Sequence, residues 1–475
     1  MSSSYSSSAQ QPSFRSLFRT FAEDPGLPIA DLLPADEIEK LCQEEGVSFA
    51  DDPDDPDLVY TPAVTVWGWL SQCLSSSKSC VAAVARVLVL RVALGLPPCS
   101  ADTGAYCRAR LKLPEPFLRR LTLHLGQALE DSAPDTWRYK NRRVVLVDGV
   151  ECSMPDTPAN QMEYPQPTSQ KEGLGFPMIR LVVLLTFATA ALVGCAMGPH
   201  QGKETGEPAL FRTLLELLRA KDVIVADRYY CSYWQVAQIQ HRGADACFRL
   251  HQRRKYDFRK GKRLGKGDHV VTWVKPARPD WMDEATYATI PDTLTVREVR
   301  VIVDNPGYRS EEIVVATTLL DAKAYSKSDI ADLYHHRWHV ELDIRAIKQT
   351  LKMDILSCKT PAMVRKEVWA HLLAYNLARK VMAQAALAGQ VRPRQVSFAG
   401  AVQTLDAFRW VLLLTEADRW LNMAKAALLA IGTHRVGDRP GRCEPRKVKR
   451  RPKAFPLLTK PRAQERAELL SGAAN

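Results

Sequence analysis

The sequence predicts a mixed α/β fold flanked by helical regions, and three observations carry that prediction. Two β-branched apolar runs, Val144–Val147 and Val223–Ala226, each lead into an aspartate, Asp148 and Asp227. That is the pattern of a buried strand delivering a carboxylate to its end. The stretch 179–197 is almost wholly apolar and divides into two strands, Ile179–Leu185 and Ala191–Met197, around a turn at 186–190. Finally, no Pro or Gly occurs from Ser326 to Thr360, so this segment reads as one long helix, started by Ser and Asp side chains that accept from its free N–H groups.

The chain has 475 residues, enough for two or three domains and a sizeable core. With 46% hydrophobic and 25% charged residues its composition is globular, and a formal net charge of +12 favours an acidic partner such as nucleic acid. The eleven cysteines are scattered without a CxxC pair or zinc spacing. They read as reduced thiols of a cytoplasmic protein. The apolar run 179–197 lies mid-chain without flanking basic clusters, so it predicts paired strands and no membrane span.

In chain order, residues 1–61 read as a disordered, acidic segment, with a Pro- and Asp-rich linker at 51–57. Residues 62–138 carry apolar residues at helical spacing over Thr65–Leu74, Ser79–Leu94 and Glu115–Glu130. With Arg108, Arg110 and Lys112 beside an aromatic, this region reads either as a DNA-binding domain or as a plain helical one. Residues 139–250 form the first part of an α/β core: three strands, a helix at Glu207–Ala220, the Val223 strand, a helix at Cys231–Arg242 and a strand at Ala246–Leu250. Residues 251–325 read as a basic, β-rich insertion with strands at Val270–Lys275, Leu294–Asp304 and Glu312–Thr318. From Arg249 to Gly267 nine basic residues face one acidic one. Arg253, Arg254, Lys255, Arg259 and Lys260 are therefore candidates for DNA backbone contact, the alternative being a merely solvated loop. Trp273, Trp281, Tyr256 and Phe258 are candidates either for stacking on an unpaired base or for ordinary packing. Residues 326–390 complete the core, 391–432 add helices, and 433–475 form a basic tail, with eleven Lys or Arg between Arg435 and Arg462.

The helix after Ser326 holds the densest chemistry. At 100° per residue Tyr334, Arg337, Glu341 and Lys348 fall within about 60° of arc, on the shoulder of an apolar stripe formed by Leu333, Val340, Ile344, Ile347 and Leu351. Alone, that row reads equally well as a salt-bridged surface. Asp148 and Asp227 upstream change the balance. Three converging carboxylates repel one another unless they hold cations, and hard oxygen donors suit magnesium. Two such ions would clamp the attacking and leaving oxygens of a phosphodiester, with Arg337 and Lys348 neutralising flanking phosphates. His335 and His339 have the i, i+4 spacing of a zinc pair but point away from this row.

The spacing Tyr334-x2-Arg337-x3-Glu341-x6-Lys348 resembles the Tyr-Arg-Glu-Lys signature of bacterial insertion-sequence transposases of the IS-four (IS4) family, within the DDE class. Val147-Asp148-Gly149 and Ala226-Asp227-Arg228-Tyr229 resemble that family's two Asp motifs, and Tyr375-Asn376-Leu377 with Arg379 resembles the stretch that follows its Glu helix. The resemblance covers roughly residues 140–385. It implies an RNase H-like catalytic domain with a β-rich insertion before the Glu helix. It further implies that Asp148, Asp227 and Glu341 are both the catalytic residues and the metal ligands, holding two Mg2+ ions for which Mn2+ substitutes. Tyr334, Arg337 and Lys348 would contact DNA. The implied activity is cleavage at the element's terminal inverted repeats and strand transfer into target DNA, by a protein that dimerises in the DNA synapse and associates with the nucleoid. The competing expectations are a catalytically inactive DNA-binding descendant and a nuclease of the same fold without strand transfer.

Overall fold

The computed structural model describes residues 35–47, 49, 58–93, 95–303, 311–414, 417–437 and 456–471. In chain order its helices are α1 (Ala35–Glu44), α2 (Pro62–Cys73), α3 (Cys80–Ala93), α4 (Gly104–Lys112), α5 (Glu115–Asp131), α6 (Pro158–Glu163), α7 (Glu207–Arg212), α8 (Tyr233–His241), α9 (Glu284–Thr289), α10 (Lys327–His335), α11 (Trp338–Arg345), α12 (Pro361–Ala388), α13 (Phe398–Leu414), α14 (Ala417–Thr433) and α15 (Arg462–Leu470). Its strands are β1 (Val144–Ser153), β2 (Met178–Thr186), β3 (Leu192–Pro199), β4 (Val223–Ala226), β5 (Asp245–Arg249), β6 (Lys262–Gly265), β7 (Asp268–Val274), β8 (Thr293–Val303) and β9 (Glu311–Thr317). The described residues divide into two compact units, one drawn from 1–129 and 368–436, the other from 130–367 and 437–475.

The second unit is built on a nine-stranded sheet of order β3-β2-β1-β4-β5-β9-β8-β7-β6. β1, β4 and β5 run parallel, while β2 is antiparallel to both β1 and β3. This order with one reversed strand is the RNase H-like arrangement. The central strands are apolar on both faces because both are covered: Val144 to Val147, Leu181 to Leu185 and Val223 to Ala226 are all buried.

The β-rich insertion does not form a sheet of its own. β9 pairs antiparallel with β5, and β8, β7 and β6 follow outward, so the insertion lengthens the core sheet. A buried ion pair pins it. Arg297, fully buried on β8, sends Nε and Nη2 to the Asp268 carboxylate at 2.8 and 2.6 Å and Nη1 to the Tyr325 carbonyl at 2.6 Å.

Several local expectations change. Within the segment expected to be disordered, Ala35–Glu44 is helical, and Ile38, Leu41 and Cys42 are buried. Its apolar stripe outweighs the acidic composition. The Asp-rich stretch 51–57 lies outside the described residues, as does 438–455 of the basic tail; α15 forms beyond it. The helix expected over Glu207–Ala220 stops at Arg212 and continues as a 3-10 turn, Leu215–Leu217. Two of the three candidate cations of the N-terminal helical region are used inside their own unit. Arg110 is buried with its guanidinium 4.1 Å from the Trp69 ring centre, and Lys112 donates to the Phe49 carbonyl at 2.7 Å. Among the described residues no helix is long and apolar enough to cross a membrane.

Asp268→Ala would leave the Arg297 guanidinium buried without its counter-charge. It should lower stability by about 3–5 kcal/mol in urea unfolding, whereas replacing both partners with apolar residues of similar volume should recover most of that loss.

Candidate active site

Strand register fixes the first two candidate residues. β1 and β4 pair through Leu146 and Val225 and no further. Asp148 and Asp227 each stand two residues beyond that pair. Asp227 is still extended (φ −77°, ψ −175°), so both carboxylates leave the same face of the sheet. Asp148 is not at the end of its strand, as the apolar run suggested. β1 continues to Ser153 because β2 stays paired with it, Asp148 opposite Val183; what ends at Asp148 is the partnership with β4. Asp227 does end its strand, and its Oδ1 accepts from the Tyr229 N–H at 2.8 Å, closing a 3-10 turn, Arg228–Tyr230.

Burial pushes the Asp148 carboxyl up to about 6. The Gly149 N–H, 2.8 Å from Oδ1, and the Arg337 charge pull the other way, while Glu207 and Asp227 add like charge.

The segment from Ser326 does not form one helix. Ser326 and Asp329 make a capping box that starts α10, which ends at His335. At the break His336 stacks on Phe187 at 4.2 Å and 28°. α11 then begins at Trp338, its last turn widens to π geometry over Ala346–Thr350, and Lys352 at φ +50° stops it. The predicted polar row is therefore split. Arg337 lies at the junction and donates from Nη2 to Glu341 Oε1 at 2.8 Å, while Lys348 lies in the π turn. Burial works against the Arg337 charge, but Tyr334 and the Glu341 carboxylate outweigh it, with help from Asp148, and its pKa is raised. Lys348 lies near enough to β1 for its charge to act on the Cys152 thiol. Tyr334 is not on the rim: it is 7% exposed, and burial raises its phenol well above the usual range. In the apolar stripe Leu333, Val340, Ile347 and Leu351 are fully buried, and Ile344 is only half-buried. His335 is exposed, and His339 faces the Phe187 ring at 5.8 Å.

One carboxylate escaped the sequence reading. Glu207, the first residue of α7, lies so close to Gly149 that a Cβ there would clash with Glu207 Oε1. Its Oε2 accepts from the Tyr230 hydroxyl at 3.1 Å. Burial raises the Glu207 carboxyl; Tyr230 opposes that and Asp227 adds to it. The Asp-Gly dipeptide was the available signal, since a strand glycine often marks a close approach.

In the insertion Arg253, Lys255 and Lys260 are exposed. Arg254 lies over the Trp273 ring at 3.8 Å, and Arg259 makes a two-point contact with Asp257 at 2.9 and 3.0 Å. Trp273 is buried and donates to Glu298 at 3.1 Å, so it is a packing residue and not an open stacking face. Trp281 is covered by Arg212 at 3.7 Å and Phe258 packs on His269 at 4.6 Å, whereas Tyr256 is exposed.

Among the described residues no group of three or more His, Cys, Asp or Glu is close enough together to hold a metal ion. The donor chemistry of Asp148 and Asp227 nevertheless fits a hard divalent cation: oxygen ligands on one face whose like charges act on each other. Glu341 is engaged by Arg337.

The raised Asp148 carboxyl has a stability consequence. Its pKa is about 6 in the fold against 3.8 ordinarily, so the folded state holds its proton more tightly. Stability is then lost as pH rises from about 4 through 6. In metal-free protein, Asp148→Asn should therefore be more stable than wild type at pH 8, by about 3 kcal/mol, and the gain should vanish near pH 4. A gain independent of pH would contradict this account.

Comparison with known proteins places this geometry. The family profile described as "Transposase DDE domain" matches residues 139–377. The chain is 26% identical over 363 residues to the transposase InsG for insertion sequence element IS4 of Escherichia coli (strain K12), covering 75% of this chain and 78% of that protein. It is 30% identical over 95 residues to the transposase for insertion sequence element IS421 of Escherichia coli, covering 18% and 25% respectively. Among solved structures it is similar to a piggyBac transposase synaptic complex with hairpin DNA, with a TM-score of 0.41 and 10% identity over 89% of this chain and 85% of that one. The profile spans both strand aspartates and the Glu341 helix. Membership brings with it action on DNA and dependence on a divalent metal, and the chain belongs to the DDE transposases, in their IS4 family.

Proposed function

We propose that this transposase cuts DNA at the terminal inverted repeats of its insertion sequence and joins the freed ends to target DNA. In this reading Asp148, Asp227 and Glu341 are the ligands of two Mg2+ ions, with Mn2+ an effective substitute. The observation that carries it is the pair of carboxylates, Asp148 and Asp227, on one face of the sheet, with the Arg337–Glu341 pair close enough for Arg337 to act on Asp148. When bound, the metal lowers the pKa of an attacking water or 3′-hydroxyl and neutralises charge on the phosphate.

The chain's own groups do the rest. Arg337 holds Glu341 in the absence of metal. It is also a planar, permanently charged donor whose guanidinium would suit a phosphate oxygen. Lys348 supplies a second positive charge along β1. The buried Tyr334, whose phenol burial raises, keeps its proton and lies close enough to Arg337 for the two to interact electrostatically. Arg253, Arg254, Lys255, Arg259 and Lys260 add contacts to the DNA backbone from the insertion. A dimer on DNA follows from the need to hold two ends at once, and such a protein works in the cytoplasm at the nucleoid.

The test uses the full chain with labelled duplex carrying the terminal repeat and a target plasmid. Asp148→Asn, Asp227→Asn and Glu341→Gln should each lower Mg2+-dependent cleavage at least about a thousandfold while leaving DNA binding intact. Undiminished cleavage by any of them removes that residue from the site. Cleavage without joining would identify a nuclease lacking strand transfer, and binding without cleavage in the wild type an inactive descendant.

The insertion is tested by salt. Alanine at Arg253, Lys255 or Lys260 should weaken DNA binding regardless of sequence and flatten the slope of log affinity against log salt by about one each.

A further inference from the structure

We infer that Glu207 and Tyr230 form a clamp, seated on Gly149, that sets the separation of the Asp148 and Asp227 carboxylates. The inference rests on the reading of those two aspartates as metal ligands, and it adds residues that neither the signature nor the spacing contains.

The ladder leaves a gap that something must bridge. β1 and β4 exchange no backbone pairs beyond Leu146 and Val225, so the strands' own hydrogen bonds do not tie Asp148 to Asp227. On the Asp148 side, Gly149 donates its N–H to Asp148 Oδ1 at 2.8 Å. Successive strand residues face opposite ways, so the empty side of Gly149 lies on the sheet face away from the Asp148 carboxylate. Glu207 occupies that side, its Oε1 and Cδ filling the space where a Cβ would be. On the Asp227 side, Asp227 Oδ1 caps the turn Arg228–Tyr230, and Tyr230, fully buried at its end, donates to Glu207 Oε2 at 3.1 Å. The Tyr230 ring is also held edge-on by Phe211 of the same helix as Glu207, at 5.5 Å and 89°. One side chain thus touches both aspartate-bearing segments, from behind the face on which the aspartates emerge. Glu207 and Tyr230 are positioning residues: they act through the two aspartates.

The experiment measures metal binding directly, without DNA. Mn2+ is titrated against the full chain, and the midpoint of its thermal stabilisation is read for wild type, Asp148→Asn, Glu207→Ala, Glu207→Gln, Tyr230→Phe and Gly149→Ala. Circular dichroism of each metal-free protein checks its fold. Removing an outer partner of a metal ligand costs about 10–100-fold in affinity, so Glu207→Ala, Tyr230→Phe and Gly149→Ala should raise the midpoint by about tenfold or more. Glu207→Gln keeps an oxygen for Tyr230 and the same shape, and should stay close to wild type. Tyr230→Phe removes only a hydroxyl and carries the test if Glu207→Ala does not fold. Unchanged midpoints in Tyr230→Phe and Gly149→Ala, with the response lost in Asp148→Asn, would overturn the clamp alone. A Glu207→Gln midpoint as poor as that of Glu207→Ala would overturn positioning in favour of a charge effect. Indifference of the Mn2+ response to Asp148→Asn would overturn the metal-site reading and the clamp with it.

Discussion

β1 is held by two neighbours only at its start and by one along the rest of its length. At Val145 and Leu146 it lies between β2 and β4; past Leu146 only β2 remains. The parallel register brings Asp148 and Asp227 out side by side where that second partnership stops. Space opens there for polar groups that a continuous sheet would exclude. The Arg337 charge acts there on Asp148 and Glu207 packs on Gly149, and the burial that raises the Asp148 carboxyl is the cost of placing a carboxylate in an otherwise apolar sheet.

The sheet was legible because its strands are written in β-branched apolar runs. Val144–Val147, the paired strands around the turn at 186–190, and Val223–Ala226 all form with boundaries close to those expected. The same local logic misled at Asp148. A polar residue after four apolar ones reads as an end, yet Val150 and Cys152 keep alternating and β2 keeps pairing. The insertion's strands were legible too, but not their attachment, since the β9–β5 pairing joins residues about seventy positions apart.

The helix break at His336 had no local signal. No Pro or Gly marks it, and the packing there is tertiary, Phe187 stacking on His336 from the end of β2. The spacing of Arg337 and Glu341 was readable because four residues still make one turn across the junction. The burial of Tyr334 was not, because its neighbours come from elsewhere in the chain: Arg249 at the end of β5 is among the charges that act on it. Glu207 was invisible for a related reason. Its meaning comes from Gly149 and Tyr230, fifty-eight residues before it and twenty-three after.

Because β9 adds to β5, the insertion belongs mechanically to the core. A load on the β6–β7 hairpin passes across β8 and β9 into β5, and from β5 across one parallel ladder into β4, the strand that ends at Asp227. A segment joined in this way cannot be exchanged between relatives as a detachable module. A graft that misaligned Phe248 with Ala316 by one residue would turn every inward side chain of β9 outward. Sequence change at the exposed β6–β7 end is therefore free only as far as the shared ladder stays in register.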